Sequence, residues 1–222
     1  SWRDAPYLCN ASRLLLLPPW MSVEQLIVFV KAPRPGAVKT RLAASIGDKA
    51  ACDAYRKLAE TTFSRLSELL NVKLRFTPDD AASEINPWLK NNWQMRPQGQ
   101  GNLGQRLQAA FTEAFSRGAQ RVVIIGSDCP SVTARDIEAA WVALRTNDVV
   151  VGPAPDGGYW LIGLSQPQPA LFDGIAWSTD TVLRETLERV RLAGLSVKLL
   201  GELADVDTEA DWRDFVAGNQ KA

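Results

Sequence analysis

The chain contains no histidine. Hydrolase triads built on an imidazole base and the common imidazole zinc sites are therefore excluded, and any chemistry falls to Asp, Glu, Lys, Arg, Tyr and backbone amides. Cysteine is scarce as well: Cys9, Cys52 and Cys129 show no paired or metal-ligand spacing, which fits a reducing, cytoplasmic compartment. Neither sign of charge is in excess. Lys plus Arg and Asp plus Glu number 25 each, so no global positive field is available to hold nucleic acid or an anionic membrane. Long apolar runs are missing too; Leu14-Leu15-Leu16-Leu17 before Pro18-Pro19 is too short for a membrane span and lacks a small-residue cleavage site.

What is present suits one sizeable domain. With 222 residues, 46% of them hydrophobic, the chain has enough apolar side chains for a full core. Residues 1–20 read as an extension and 21–222 as a single domain starting near Met21, the alternative for 1–20 being a docking arm through Trp2, Tyr7 and Trp20. From there strands and helices alternate. Strands are expected at 26–30, 72–77, 93–96, 121–125, 148–151, 160–164 and 197–200, and helices at 48–70, 103–117, 133–144, 181–193 and 208–216, with a short helix at 79–90 broken by Pro87. Repeated βα units imply an α/β fold, a three-layer α/β/α sandwich with a mostly parallel sheet; the close succession around Asp156-Gly157-Gly158 points to one antiparallel strand.

Three acid motifs follow apolar strands. Val122-Val123-Ile124-Ile125 runs into Gly126-Ser127-Asp128, which delivers a carboxylate to the carboxyl edge of the sheet, where open α/β folds bind ligands. Asp156 follows the next run, and Asp205 and Asp207 follow the last. Two carboxylates within about 4 Å repel by roughly 4 kcal/mol at an effective dielectric of 20, so converging acids call for a cation. Without histidine or a cysteine pair, hard oxygen ligands point to Mg²⁺ or Mn²⁺. Asp207 also has a plainer reading, since one of Asp205 and Asp207 would serve as punctuation before the helix at 208.

Two loops suit an anionic ligand. Lys31, Arg34, Lys39 and Arg41 crowd a loop stiffened by Pro33 and Pro35, with Gly36 free to take positive φ; such a loop fits a polyphosphate, the alternative being a solvated basic loop. Gln98-Gly99-Gln100-Gly101-Asn102-Leu103-Gly104-Gln105-Arg106 runs into a helix N-terminus. Gly101, Asn102 and Gly104 would there let the backbone approach a nucleotide, and an ordinary flexible connection is the other reading. On the far side, Asp156, Gly157, Gly158, Tyr159 and Trp177 place an acid among aromatic faces, a combination suited to an acceptor whose hydroxyl is to be activated.

In order and spacing, Lys-Ala-Pro-x-Pro-Gly-x-Val-Lys-Thr-Arg-Leu at 31–42, the glycine turn, Ile-Gly-Ser-Asp-Cys-Pro at 125–130, the Asp-Gly-Gly-Tyr-Trp motif at 156–160, Trp-Ser-Thr at 177–179 and Asp-Val-Asp-Thr at 205–208 carry a family resemblance. They resemble the bacterial DUF-type glycosyltransferase family of GT-A, or nucleotide-diphospho-sugar transferase, fold, which is similar to the 2-phospholactate and molybdenum cofactor guanylyltransferases. The likeness covers nearly all of 24–216. It implies that Lys31, Gly36, Lys39 and Arg41 hold the nucleotide, that Asp128 is the single metal-binding aspartate, that Asp205 or Asp207 completes the metal site, and that Asp156 and Tyr159 face the acceptor. One departure stands out: relatives carry Gly-Asp-Leu-Gly where this chain has Asn102, and an amide neither acts as a base nor holds a cation as a carboxylate does.

The resulting expectation is a metal-dependent glycosyltransferase acting on a nucleoside-diphosphate sugar, with Asp128 on Mg²⁺ or Mn²⁺ and Asp156 as the base. Alternatives are a guanylyltransferase-like enzyme releasing pyrophosphate from a nucleoside triphosphate, or a non-catalytic nucleotide-binding protein. Partners would be the nucleotide donor and a small-molecule acceptor.

Overall fold

A computed structural model describes residues 23–90 and 92–219. The reading of residues 1–20 lies outside the described residues. Within them, β1 (Glu24–Lys31), β2 (Val72–Thr77), β3 (Gln94–Pro97), β4 (Arg121–Gly126), β5 (Val149–Pro153), β6 (Tyr159–Leu164) and β7 (Val197–Leu199) form one sheet in the order β3-β2-β1-β4-β6-β5-β7. All pairings are parallel except those of β6, which runs antiparallel to both β4 and β5. The carboxyl ends of β1, β2, β4 and β5 therefore meet the amino end of β6 at one edge.

Seven helices cover the sheet among the described residues: α1 (Thr40–Ile46), α2 (Asp48–Arg65), α3 (Ala82–Ile85), α4 (Leu103–Ser116), α5 (Ala134–Ala143), α6 (Val182–Leu192) and α7 (Glu209–Asn219). Alternate residues of the central strands feed two separate cores. Val28, Val30, Val123 and Ile125 pack with Tyr55 and Phe63 of α2 and Ile137 and Trp141 of α5. Ile27, Val122, Ile124 and Ile162 point the other way and pack with Leu107 and Phe111 of α4 and Val190 of α6. Burial on both faces is why these strands read as unbroken apolar runs.

The stripe Ala51, Tyr55, Leu58, Thr62, Leu66 and Leu69 of the helix expected at 48–70 is buried throughout, although α2 ends at Arg65 and the last two pack from the turn beyond it. Two expectations need correction. The basic loop does not run unbroken from Lys31 to Leu42, because α1 begins at Thr40; it is short, buries Leu42 alone, and starts from a left-handed Lys39, so it shows little periodicity. The predicted helix at 79–90 shrinks to α3 and a 3-10 turn, Asn86–Trp88, that carries Pro87. No helix of the described residues is long and apolar enough to cross a membrane.

Candidate active site

The exit of β4 is shaped by its two small residues. A Cβ on Gly126 would lie 2.9 Å from Asp128 Oδ1, so glycine there lets the carboxylate fold back over the strand end. Ser127 is buried, with Oγ 2.8 Å from the Tyr55 hydroxyl. That hydroxyl also accepts a bond from Lys31 N at 2.9 Å, so one phenol on α2 ties the end of β1 to the end of β4. Burial pushes the Tyr55 pKa well above the usual phenol range, against the Ser127 hydrogen bond, which keeps this tie uncharged.

Lys39 is the centre of the site. Its backbone is left-handed, with φ 48° and ψ 47°, a conformation that costs a side-chain-bearing residue energy and persists where the surroundings demand it. Its side chain is 3% exposed, and Nζ donates to Asp128 Oδ2 and Asp207 Oδ1, both at 2.7 Å. Burial works to lower the Lys39 pKa, but the pull of Asp128 and then Asp207 overcomes it and holds the ammonium above the ordinary lysine range. On the solvent side, Arg41 Nη1 lies 3.6 Å from Asp207 Oδ2.

Asp207 reaches Asp128 because the segment after β7 is laced to the end of β4. Val206 N donates to Asp128 O at 3.3 Å, and the buried Cys129 thiol lies 3.5 Å from Ala204 O. Neither Asp205 nor Asp207 caps α7. Thr208 does so, its Oγ1 accepting from Asp211 N at 3.3 Å while Asp211 Oδ2 accepts from Thr208 N and Oγ1 at 2.8 Å each, and the Asp207 carboxylate is left for Lys39. Asp205 stands close enough to feel its neighbours: burial, then repulsion from Asp128, raises its pKa to about 7 against the pull of Lys39.

No group of three or more acidic, cysteine or histidine side chains among the described residues is gathered as a ready cation cage. Two carboxylates sharing one buried positive charge is, however, a donor set that suits Mg²⁺ or Mn²⁺ when phosphate oxygens and water complete the shell. The Lys39 ammonium is the stand-in, and Asp128 and Asp207 fit the ion.

A cleft of about 580 Å³ opens over this cluster, lined among others by Lys31, Lys39, Arg41, Gln98, Leu103 and Arg106. Gln98 and Arg106 went unnoticed in the sequence reading as cleft residues. Gln98 is buried, donating to Arg75 O at 2.9 Å, and its Oε1 lies 3.4 Å from Arg106 Nη1. Arg106 Nε is buried with no hydrogen-bond partner, so this guanidinium has capacity to spare for an anion. The signal was present, since Arg106 is the only charged residue of the glycine turn.

The turn's other residues sit differently. Asn102 is the N-cap of α4 and forms a capping box with Gln105, its Oδ1 accepting from Gln105 N at 3.0 Å. At Gly104 a Cβ would meet Phe172 O at 2.7 Å and Trp177 Nε1 at 2.8 Å, so the glycine admits close helix packing. Gly101, Asn102, Gly104 and Gly36 are not among the residues lining the cleft. Arg34 also leaves the polyphosphate set: it is clamped by Glu84, 2.6 Å from Nη2, and Asp80, 3.2 Å away.

A second hollow of about 400 Å³ adjoins the first and shares Arg41, Leu103, Ser178 and Asp207 with it. Asp156, Asp180 and Asp205 line it together with Tyr159 and Trp177. Asp156 is exposed and closes an Asx turn, Oδ1 accepting from Gly158 N at 2.9 Å. Gly157 takes φ 83° and a Cβ there would strike the Asp180 backbone, while its carbonyl accepts from Leu183 N at 2.8 Å. That close approach fixes the Trp177–Asp180 loop, which Glu185 braces through Ala176 N at 3.0 Å and Thr181 Oγ1 at 2.6 Å. Tyr159 turns its hydroxyl inward beside Thr186, and burial raises its pKa beyond the phenol range. Trp160 is core, its indole N–H donating to Gly201 O at 3.1 Å.

Comparison with known proteins bears on this geometry. The profile of DUF2064, described as "Uncharacterized protein conserved in bacteria", matches residues 64–179, more than half of the 222. The chain is a DUF2064 protein. A candidate nucleotide-diphospho-sugar transferase from Desulfovibrio desulfuricans G20 superposes on it with a TM-score of 0.84 at 34% identity, over 91% of this chain and 90% of that one. The DUF2064 chain is also 32% identical over 126 residues to a phosphoenolpyruvate guanylyltransferase from Chloroflexus aggregans, an alignment that spans 53% of this chain and only 60% of that relative. At the level of fold, Rv0371c from Mycobacterium tuberculosis H37Rv, solved in complex with manganese, matches with a TM-score of 0.54 at 16% identity, over 87% of this chain and 98% of that one. The α/β/α nucleotide-diphospho-sugar transferase fold expected from the sequence is thus the fold of this DUF2064 protein.

Proposed function

We propose that this protein is a metal-dependent nucleotidyltransferase that moves a nucleoside monophosphate from a nucleoside triphosphate to a hydroxyl of a small acceptor, releasing pyrophosphate. The observation that carries this reading is the convergence of Asp128, Asp207 and the buried Lys39 at the seam of a cationic half-cleft and an acidic one. The guanylyltransferase at 32% identity supports nucleotidyl over glycosyl transfer.

In this mechanism Lys31, Arg41 and Arg106 bind the phosphates, their charge-assisted hydrogen bonds strengthening as negative charge gathers on the departing pyrophosphate. Asp128 and Asp207 would hold Mg²⁺ or Mn²⁺, which would there neutralise charge on phosphate oxygens. With those carboxylates on the ion, the Lys39 ammonium would be available to pair with the phosphates. Across the seam, Trp177 offers a flat face to the acceptor. Asp156 has Oδ1 engaged by Gly158 N, so its Oδ2 takes the proton from the attacking hydroxyl. The acceptor half carries Asp156, Asp180 and Asp205 against Arg41, which suits a neutral or cationic acceptor better than phosphoenolpyruvate, an anion.

A second reading, glycosyl transfer from a nucleotide sugar, is favoured by the relative at 34% identity. Incubation with nucleoside triphosphates and nucleotide sugars, each with Mg²⁺ or Mn²⁺ and a pool of hydroxyl acceptors, followed by mass spectrometry, separates the two. Pyrophosphate release that falls by about 10²-fold or more in Asp128→Asn, the scale seen when one electrostatic stabiliser is removed, supports nucleotidyl transfer. Nucleoside diphosphate as the product would replace it with glycosyl transfer.

A further inference from the structure

At the opposite edge of the sheet, where β1, β2 and β3 begin, a separate cavity of about 320 Å³ lies between α4 and the edge strands, and Gln25, Lys73, Gln94 and Arg117 are among its walls. Lys73 is its unusual member. The whole residue is 8% exposed, and among the described residues its ammonium has no hydrogen bond and no ion pair. Most of the residue is packed inside the fold, and it reaches the wall of the cavity. Burying an ammonium without a partner is costly.

The surrounding charges deepen the deficit. Glu113, the acid beside Lys73, is already shared by three guanidinium groups: Arg75, whose contact is very short, Arg117 at 3.0 Å and Arg96 at 3.5 Å. Four cations therefore face one carboxylate. Glu24, on the cavity wall, is engaged by Arg121 at 3.1 Å. Burial lowers the Lys73 pKa; Glu113 opposes it, and Arg117, Arg75 and Arg96 add to the lowering.

We infer that this cavity is a second ligand site, distinct from the transfer cleft, which takes a small phosphate-type anion between Lys73 and Arg117 with the Gln25 and Gln94 amides at its rim. A dianion there would give Lys73 its missing partner, and the two side-chain amides supply further donors. The volume, at the low end of small-ligand pockets, holds an inorganic phosphate or a small phosphomonoester.

Inorganic phosphate on the full chain is the probe, in an Arg106→Ala background that weakens the transfer cleft. Phosphate should raise the melting temperature and shift the amide resonances of Lys73, Gln94 and Arg117. Adding Lys73→Met, which keeps the stem and removes the charge, should raise the melting temperature in phosphate-free buffer and abolish the response to phosphate. Arg117→Gln, as an independent variant, should weaken phosphate binding about tenfold, the equivalent of one charge-assisted hydrogen bond. Repeating the titration with glycerol 3-phosphate tells a free anion from an ester-borne one: tighter binding of the ester assigns the site to phosphomonoesters. An undiminished response in the Lys73→Met and Arg117→Gln variants, or resonance shifts confined to 31–41 and 98–106, overturns the proposal.

Discussion

The two hollows of the proposed transfer cleft, one assigned above to the nucleotide and one to the acceptor, share Arg41, Leu103, Ser178 and Asp207, yet they are held in place by different means. In the nucleotide half the working groups sit on strand ends and a helix start, and buried polar ties fix them: Tyr55 to Lys31 and Ser127, Gln98 to Arg75 and Arg106. In the acceptor half they sit on loops. Asp156 and Asp180 are exposed, and the Trp177–Asp180 loop depends on its contact with Gly157 and on the Glu185 brace. The difference teaches that the proposed donor side is fixed by the sheet, as an electrostatic site must be if its dipoles are not to reorganise during reaction, whereas the proposed acceptor side is a surface fitted around it. Loops on a rigid scaffold are where substrate choice varies most readily.

The sharpest way to break this contrast is to remove a charge from each half in turn. Arg106→Ala should weaken nucleotide binding by about 1.5–3 kcal/mol, roughly 10–150-fold, measured by titration calorimetry. Asp180→Ala should leave nucleotide affinity unchanged and alter the acceptor KM. Equal losses of nucleotide affinity in both variants would erase the division into donor and acceptor halves.

A smaller effect sharpens the seam itself. The folded-state pKa of Asp205 is raised from 3.8 to about 7, so between those values the folded chain binds more protons than the unfolded one. Stability contributed by the protonated acid is thus full at the acid end and falls as pH rises through that window. In metal-free buffer Asp205→Asn should melt above the wild type at pH 8, by roughly 2–4 °C for each kcal/mol relieved, and match it near pH 4. A constant difference across the range would assign the gain to something other than titration. The smallest effect is expected at Asn102→Asp. Aspartate caps a helix as well as asparagine does, so the melting temperature should stay within the equivalent of about 0.5 kcal/mol. A rise in transfer rate in that variant would mean that an acid at this position has a chemical part beyond capping.

Much of the donor half was legible in the sequence because strand-end motifs announce themselves. An apolar β-branched run that stops at Gly126-Ser127-Asp128 has few other meanings, and Lys39 fell in a loop whose place in the βα alternation was clear. What was not legible depended on partners distant in sequence. Arg34 looked like Lys39 until Glu84 and Asp80 claimed it. Tyr55 read as one more apolar position of α2, although its hydroxyl joins two strands. Asp207 was hard to separate from a helix cap because its neighbours Thr208 and Asp211 carry the capping pattern themselves. Local spacing reports local bonds. Pairings across 50 or 168 positions, such as Arg34 with Glu84 or Lys39 with Asp207, need the sheet order.

The backward run of β6 has one further consequence. Because this strand pairs with β4 on one side and β5 on the other, its register is fixed twice. Deleting or adding a single residue in the 154–158 turn would send Trp160 from the core toward the opposite face and would have to break two ladders at once to be absorbed. The turn that carries Asp156 therefore cannot change length without disturbing both ladders, and descendants of this chain should hold its residue count constant.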